Sequence, residues 1–374
     1  MNDPIQQLRH TLHKYPELSG KESNTAKRIV DFFRPLNPDA IFEDLGDNGV
    51  AVVFTGHESG PTVMLRCELD AVPVQELSHT EYCSTIDGVA HQCGHDGHMA
   101  IVAAVGLDLA AKRTQRGKVV LLFQPAEENG MGAKAVLQDP RFGEIKPDVA
   151  FALHNLPGYP LGQVLVRSGT FNCASRGLTV KLSGTTAHAA QPETGQSPAP
   201  AMCECIQHLS ALPPETVPTD ETAFATVVGA QLGKKAFGTA PGEAEIWATL
   251  RSETDETMAK LTQYVEQVVH DAATQHGLSV TIAYQDVFPA TVNGEQAVKR
   301  IQEVIGDAPL IIPKKPLRWS EDFGRITAIC EGALFAIGAG TDRPNLHNPD
   351  YDFPNALIPP AKEIFLRLVD SYLN

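Results

Sequence analysis

The chain contains a short segment in which side chains able to bind metal are crowded together. Residues 91–98 read His-Gln-Cys-Gly-His-Asp-Gly-His, which places three imidazoles, one thiol and one carboxylate within eight residues. Sulfur, nitrogen and carboxylate groups at this density are typical of a transition-metal site. Cys93 and His95 can point the same way from a turn, and we predict that both bind metal. His91 and His98 are predicted not to be ligands, and Asp96 is expected to orient the site or to cap the following helix.

Four further side chains that could do chemistry come shortly after apolar segments. The residues are Asp70, Glu127, Glu128 and His154, and the segments are 61–69, 118–123 and 148–153. Such segments predict strands of a sheet that is covered on both faces. Because open α/β sheets bind ligands beyond the carboxyl ends of their strands, we expect these residues to meet at one sheet edge.

The adjacent carboxylates of Glu127 and Glu128 predict two separate roles. Neighbouring residues on an extended backbone point to opposite sides, so the two side chains cannot easily share one role. One carboxylate is expected to bind metal and the other to take the proton of a metal-activated water. Each signal also has an ordinary interpretation. The pair could form a solvated acidic turn, and His154, His188 and His347 could each be a core or loop histidine.

The composition is that of an ordinary globular protein. Hydrophobic residues make up 43% and charged residues 20% of the 374 residues. The net charge of −15 argues against a nucleic-acid surface, which needs a basic patch. No secretory signal and no apolar run of about 18 residues is visible, so we expect no membrane span. Seven scattered cysteines, an odd number, fit a reducing compartment, and a cytoplasmic location is expected.

Two different orders of predicted elements indicate two domains. Residues 1–172 and 285–374 alternate apolar strands with helices such as 99–112, which predicts an α/β domain with a mainly parallel sheet and helices on both faces. Residues 173–284 follow the order β-α-β-β-α-β of a ferredoxin-like unit. Its predicted strands are 176–182, 223–232, 243–251 and 278–286, and its predicted helices are 197–212 and 255–275. We therefore predict a discontinuous catalytic domain that is interrupted by an inserted second domain.

Several motifs, in order along nearly the whole chain, resemble those of one enzyme family. They are LHKYPEL (12–18), LRCELDAVP (65–73), HQCGHDGH (91–98), FQPAEE (123–128), LHN (153–155), AHAA (187–190), SEDF (320–323) and LHNP (346–349). The family is that of the metal-dependent amidohydrolases such as hippurate hydrolase, N-acetyldiaminopimelate deacetylase and the plant auxin–amino-acid conjugate hydrolases. It belongs to the metallopeptidase group that contains aminoacylase-1 and carboxypeptidase G.

The resemblance implies a di-metal exopeptidase-like catalytic domain with an inserted ferredoxin-like lid. It implies two divalent metal ions, which could be Zn, Mn, Co or Ni, bound by Cys93, His95, Glu128, His154 and His347. Glu127 would be the general base, and Asp70 would be a carboxylate that orients a ligand. His188 would reach the tetrahedral oxyanion. Arg251 would hold the substrate carboxylate, for which a guanidinium fork is well suited.

The implied reaction is hydrolysis of the amide bond of an N-acyl amino acid, for example an N-acetyl or N-benzoyl one, by a metal-activated water. A dipeptidase or carboxypeptidase with the same machinery is the alternative. A non-catalytic binding protein is disfavoured because the base and every ligand are present. A structural zinc site is disfavoured because such sites prefer closed sets of four ligands, often paired cysteines. The expected partners are the small-molecule substrate and, through the lid, a second copy of the chain.

Two positions depart from the family pattern. Relatives commonly carry Asn-Val-Ile-Pro in the lid, whereas this chain has Gly238-Thr239-Ala240-Pro241, so a donor for the substrate or the oxyanion is missing. Glu68 stands where many relatives have Asp. Neither change affects a predicted ligand. Gly238 predicts either a different substrate preference or a donor that comes from elsewhere.

Overall fold

The structure, a computed structural model, describes residues 3–212 and 221–374. Its contacts group the chain into two compact units. The first consists of Met1–Phe171, Thr291–Lys315 and Glu321–Asn374, and the second consists of Asn172–Ala290 and Pro316–Ser320. The predicted insertion ends at residue 284, whereas the second unit continues to 290, because its last strand runs on to Phe288. Residues 316–320, which the sequence analysis assigned to the catalytic domain, also belong to the second unit.

An eight-stranded sheet forms the middle of the first unit. Its strands are β1 (Ala40–Leu45), β2 (Gly49–Thr55), β3 (Glu58–Glu68), β4 (Arg116–Gln124), β5 (Val149–Leu156), β6 (Val164–Leu165), β15 (Leu310–Ile311) and β16 (Glu331–Gly338). Their order is β1-β2-β4-β3-β5-β16-β6-β15, and the four central strands β4, β3, β5 and β16 are parallel. Antiparallel pairs lie towards the edges. The predicted α/β fold with a mainly parallel sheet is confirmed.

Both faces of this sheet are buried, which explains why its strands are apolar. Residues 119–123 of β4 are all 0% exposed, although successive side chains point to opposite faces. The helices of the unit are α1 (Pro4–Lys14), α2 (Ser23–Phe33), α3 (His95–Ala111), α4 (Gly132–Gln138), α5 (Phe142–Ile145), α8 (Glu295–Val304), α9 (Gly324–Thr327) and α10 (Ile358–Leu373). The remaining short strands are β7 (Gly169–Asn172) and β14 (Thr291–Asn293).

The central strands end close to the polar residues that the sequence analysis selected. β3 ends two residues before Asp70, and β4 ends shortly before the Glu127-Glu128 pair. β5 runs on to Leu156, so His154 lies inside this strand. The prediction that His154 follows the end of the strand was wrong. The strand is longer because it pairs with β16 along its full length, where His154 stands opposite Ala336.

Helix α3 carries part of the metal-binding motif into the interior of the first unit. The predicted helix began at residue 99, whereas α3 begins at His95. Gly94 precedes it with a φ of +94°, a left-handed conformation that turns the chain into the helix. The predicted start was wrong because the polar residues of the first turn are buried together with the apolar ones that follow. No helix among the described residues has the length and the apolar character needed to cross a membrane.

The second unit is a four-stranded antiparallel sheet with two helices. Its elements are β8 (Ala174–Ser183), α6 (Ala199–Ser210), β10 (Ala223–Leu232), β12 (Glu243–Ser252), α7 (Asp255–Gln275) and β13 (Ser279–Phe288). The strands are ordered β10-β12-β8-β13, which is the arrangement of the predicted β-α-β-β-α-β unit. Alternate residues of β8 and β12 join the core beneath the helices. Two further short strands, β9 (Ala187–His188) and β11 (Thr239–Ala240), pair with each other.

We predict that Gly94→Ala destabilises the first unit more than Gly88→Ala does. Both glycines have a positive φ, +94° and +70°, so each alanine costs about 1–2 kcal/mol of backbone strain. A Cβ at Gly94 would also lie 1.9 Å from Asn155 Oδ1, whereas no atom lies within 4 Å of a Cβ at Gly88. Chemical denaturation of both variants measures the difference. Equal losses of unfolding free energy would contradict the close approach at Gly94.

Candidate active site

Six side chains that can bind metal or move protons converge in the first unit. They are Cys93, His95, Glu127, Glu128, His154 and His347. Their ligand atoms form overlapping groups of three in which all atoms lie within 4.8 Å of one another. The groups are Cys93 with His95 and His154, Cys93 with Glu128 and His347, and His95 with Glu127 and Glu128. The structure therefore brings together the five predicted ligands and the predicted base.

The distances between these ligand atoms suit a shared cation. Cys93 Sγ lies 3.5 Å from His154 Nε2, and His347 Nε2 lies 3.5 Å from Glu128 Oε1. His95 Nε2 lies 3.8 Å from the same Glu128 oxygen. Two ligand atoms that each lie 2.0–2.3 Å from one ion are separated by roughly 3.3–3.8 Å at a tetrahedral angle. The side chains are therefore already placed at ligand spacing.

The electrostatics around His95 also fit a cation. His95 Nε2 and Glu128 Oε1 are buried and have no hydrogen-bond partner among the described residues, an uncommon state for buried polar atoms. Burial lowers the pKa of His95, but the carboxylates of Asp70, Glu68 and Glu128 outweigh this effect and raise it to about 10. Positive charge is therefore favoured beside Nε2. The residues present fit a divalent metal, which would supply that charge.

The environment of Cys93 favours a metal ligand over a covalent nucleophile. Burial raises the pKa of its thiol well above the usual range, and the charges of Glu128 and Glu127 raise it further. A thiol in such surroundings is a poor nucleophile. A coordinated metal ion, in contrast, deprotonates a thiol outright. Cys93 thus becomes a thiolate only when a cation lies beside it.

Asp70 holds two of the converging residues in place. His95 Nδ1 lies 2.8 Å from the backbone oxygen of Asp70 and 3.6 Å from its carboxylate, so the carbonyl is its hydrogen-bond acceptor. The Asp70 carboxylate accepts instead from the Glu128 N–H at 2.9 Å and from the Ser19 hydroxyl at 2.7 Å. Nδ1 of His95 therefore carries the donated proton. The other ring nitrogen, Nε2, is the one that faces Glu128.

Burial and neighbouring charge also act on Glu127. Its Oε2 lies 4.0 Å from His95 Nε2. Burial raises the pKa of Glu127 well above its usual range, and the carboxylates of Glu321 and Glu128 raise it further. A carboxylate with a raised pKa takes up a proton more readily near neutral pH, as a general base must.

A buried charge network that the sequence analysis missed supports this edge of the sheet. Arg66, at the end of β3, is fully buried and forms ion pairs with Glu68, Glu321 and Asp322. Its Nη2 lies 2.6 Å from Asp322 Oδ1, and its Nε donates to Gln124 Oε1 at 2.9 Å. Glu321 lies 255 residues after Arg66, so no local spacing could have indicated the pair.

The network continues from Glu68 to the backbone of Cys93. His98 Nδ1 lies 2.6 Å from Glu68 Oε2, and His98 Nε2 accepts from the Asn155 N–H at 3.1 Å. The Asn155 side chain donates to the Cys93 carbonyl at 3.1 Å. Both nitrogens of His98 therefore have protein partners, but His98 also forms a close donor group with Glu68 and His95, so its non-ligand role stays a prediction. His91 belongs to none of the close donor groups among the described residues.

Asp96 does not cap α3, and the capping role expected for it is wrong. No side chain caps this helix. Asp96 Oδ2 instead lies 2.7 Å from Arg9 Nε and 2.9 Å from His13 Nδ1. Arg9 also forms an ion pair with Asp352 and donates to Asn355 Oδ1 at 2.9 Å. These buried contacts fasten α1 to α3 behind the metal-binding motif.

Two residues of this region adopt a left-handed backbone although they are not glycines. Ala126, which precedes Glu127, has a φ of +48°, and His347 has a φ of +65°. Such conformations cost free energy and are concentrated at functional sites. The left-handed residue Ala126 lies directly before the two adjacent carboxylates, Glu127 and Glu128.

The remaining two predicted site residues, His188 and Arg251, belong to the second unit. His188 is exposed, and its Nδ1 accepts from the Ala190 N–H at 3.0 Å. It pairs with Thr239, and the next residue, Ala189, donates to the Gly238 carbonyl at 3.0 Å. The segment that departs from the family pattern is thus the immediate neighbour of His188. A Cβ at Gly238 would meet no atom within 4 Å, so a side chain has room there.

The comparison with protein families identifies the class of this site. Residues 64–371 match the model of Peptidase family M20/M25/M40. This match covers most of the chain and includes the six converging residues. The chain belongs to this family, and it is a hydrolase of amide bonds. The resemblance seen in the sequence is thereby confirmed.

Similar proteins of the family act on N-acylated amino acids, as their names state. The chain is 28% identical over 373 residues to hippurate hydrolase from Campylobacter jejuni, and the match covers 99% of this chain and 96% of that protein. It is also 28% identical to N-acetyldiaminopimelate deacetylase from Priestia megaterium, with 98% and 96% covered. These full-length matches leave no large part of the chain outside the comparison.

A solved structure supports the fold. A dinuclear metal-binding peptidase of the M20 family from Bacillus subtilis superposes with a TM-score of 0.81. The superposition covers 98% of this chain and 96% of that protein, at 23% sequence identity. The α/β architecture described above is therefore that of M20 peptidases.

The buried contacts of His13 predict a pH-dependent stability. Burial lowers the pKa of His13, but Asp96 and Glu76 outweigh this effect and raise it from 6.5 to about 9. Because the folded pKa is the higher one, protonated His13 stabilises the fold fully below about pH 6.5, and this contribution is lost as the pH rises through about 9. Relative to His13→Gln, the wild type should lose roughly 3 kcal/mol of unfolding free energy between these limits. Denaturation curves that change in parallel for both proteins would contradict this assignment.

Proposed function

We propose that this chain hydrolyses the amide bond of N-acyl α-amino acids with a metal-activated water. One observation carries the proposal. A thiol, three imidazoles and two carboxylates converge, and His95 Nε2 and Glu128 Oε1 have no hydrogen-bond partner among the described residues. Mixed sulfur, nitrogen and oxygen donors with an additional carboxylate alongside suit a catalytic site better than a closed structural one.

Two ions are proposed because the donor atoms form two groups that share Cys93. His95 and His154 complete one group, and Glu128 and His347 complete the other. Zn, Mn, Co and Ni all accept such ligands, so the donor set does not select among them. When bound, the two ions lower the pKa of a water molecule and polarise the scissile carbonyl.

Glu127 is proposed to move the proton. Its carboxylate takes a proton from the attacking water while the water oxygen bonds to the carbonyl carbon. The same carboxyl then donates this proton to the amide nitrogen as the C–N bond breaks, so that a carboxylic acid and an amine leave. The raised pKa of Glu127 and its position beside His95 support this role.

His188 and Arg251 are proposed to bind the substrate. Nδ1 of His188 accepts a hydrogen bond, so the ring proton lies on Nε2, which is then a donor suited to an oxyanion. Arg251 Nη1 donates to Arg318 O and to Ser320 Oγ, and its Nε–Nη2 edge can form a fork with the substrate α-carboxylate. A free α-carboxylate is therefore expected in every good substrate.

The names of the relatives favour N-acyl amino acids over dipeptides. A dipeptidase or carboxypeptidase uses the same machinery and stays the alternative that a substrate screen separates. The homodimer formed through the second unit and the cytoplasmic location also stay predictions.

A substrate screen on metal-quantified protein tests the proposal. We expect hydrolysis of N-acetyl or N-benzoyl amino acids, loss of activity after chelation, and recovery when Zn, Mn, Co or Ni is added. Cleavage of dipeptides alone would favour the alternative. Activity that survives complete removal of metal would overturn the mechanism.

Glu127→Gln should keep its metal but lower kcat by at least about 100-fold, because only proton transfer is removed. Elemental analysis and initial rates measure the two quantities separately. Glu128→Gln, at the adjacent position, is the matched control and should lose metal together with activity. Turnover at the wild-type rate in Glu127→Gln would exclude Glu127 as the base.

A further inference from the structure

Two arginines, Arg251 and Arg318, are neighbours at one end of the sheet in the second unit. Arg251 Nη1 donates to the backbone oxygen of Arg318 at 2.8 Å. The Arg318 guanidinium carbon lies 4.4 Å from the ring centre of Phe224. Phe224 is the register partner of Arg251 on the neighbouring strand, and partners in an antiparallel pair point to the same face. The two cationic groups therefore share one face of the sheet.

Neither guanidinium has a carboxylate partner among the described residues. Among residues 3–212 and 221–374, no ion pair joins Arg251 or Arg318 to a carboxylate. The chain has 45 acidic and 30 basic residues, so two neighbouring arginines without an ion-paired carboxylate among the described residues stand out. Glu253, two residues after Arg251, is buried and accepts a hydrogen bond from the Thr222 N–H.

Keeping the two cations together costs free energy. Burial lowers the pKa of Arg251, the neighbouring thiol of Cys173 raises it, and the positive charge of Arg318 lowers it. Burial and the Arg318 charge disfavour the charged form of Arg251, and a bound anion would offset the repulsion between the two cations. The arrangement is therefore typical of a surface that is complete only when an anion is present.

The N–H donors of Arg251 and Arg318 that have no described acceptor are enough to bind two carboxylates, and are more than one carboxylate requires. Arg251 uses Nη1 for Arg318 O and Ser320 Oγ, which fixes the guanidinium plane. No hydrogen bond from its Nε or Nη2, or from the Arg318 guanidinium, is formed within the part of the chain that the structure describes. Each arginine thus presents a planar fork, the geometry that pairs with a carboxylate.

We infer that Arg251 and Arg318 form a two-carboxylate site, and that the enzyme prefers N-acyl amino acids with an acidic side chain. This inference rests on the proposed function. Arg251 holds the α-carboxylate, and Arg318 holds the side-chain carboxylate. Phe224 keeps the Arg318 guanidinium in place by stacking, which lowers the entropy lost when the anion binds. Arg318 is a specificity-determining residue and takes no part in the chemical step.

The test compares N-acetyl-L-glutamate with N-acetyl-L-glutamine, which has nearly the same shape but lacks the second charge. Metal-loaded wild-type enzyme should show a kcat/KM at least about tenfold higher for the glutamate substrate, as a charged hydrogen bond implies. In Arg318→Gln the ratio of the two kcat/KM values should fall to near one, and Arg318→Lys should keep part of it. Arg176→Gln is the matched control, because Arg176 also lies over an aromatic ring of this unit, that of Tyr284. It should keep the wild-type ratio.

A wild-type ratio near one, or an Arg318→Gln variant that keeps the wild-type ratio, would overturn the inference. If N-acetylglutamine is still hydrolysed when either of these results is found, the inference fails but the proposed function does not. Calorimetric Kd values on metal-loaded Glu127→Gln protein give a second reading that needs no turnover. N-acetylglutamate should bind at least about tenfold more tightly than N-acetylglutamine, and equal affinities would also overturn the inference.

Discussion

Compensation of buried charge is the constraint on which the first unit depends. Its sheet edge buries Glu68, Asp70, Glu127, Glu321 and Asp322, and one guanidinium, Arg66, neutralises only part of them. Buried charges persist only when they are paired or when they coordinate a cation. The carboxylates nearest Arg66 are paired through it. The carboxylates nearest His95 and Cys93 are the ones whose negative charge a bound metal ion would compensate.

The converging side chains could be predicted from sequence because their signals are local. Cys93 and His95 belong to one motif, and Glu127 and Glu128 are adjacent after an apolar strand. The residues that hold them in place could not be predicted in this way. Arg66 reaches Glu321 across 255 residues, and Arg9 reaches Asp96 across 87. Such pairs depend on the order of strands and helices in space, and a single sequence does not contain that order.

The fold was predictable to a similar extent. Apolar strands alternating with helices predicted the α/β unit, and the β-α-β-β-α-β order predicted the second unit. The start of α3 was missed because its first turn consists of polar residues that are buried by their own partners. The periodicity of apolar residues indicates which side chains are buried away from water. It does not predict a helix correctly where polar side chains are buried as part of a functional site.

The N-terminal helix lies outside the segment that the family model matches, which begins at residue 64. Arg9 and His13 of α1 are nevertheless the partners of Asp96, and Ser19 donates to Asp70. A fragment cut at the family boundary would leave both carboxylates buried without these partners. The smallest active fragment therefore has to include α1 and Ser19, and fusions or truncations should preserve both.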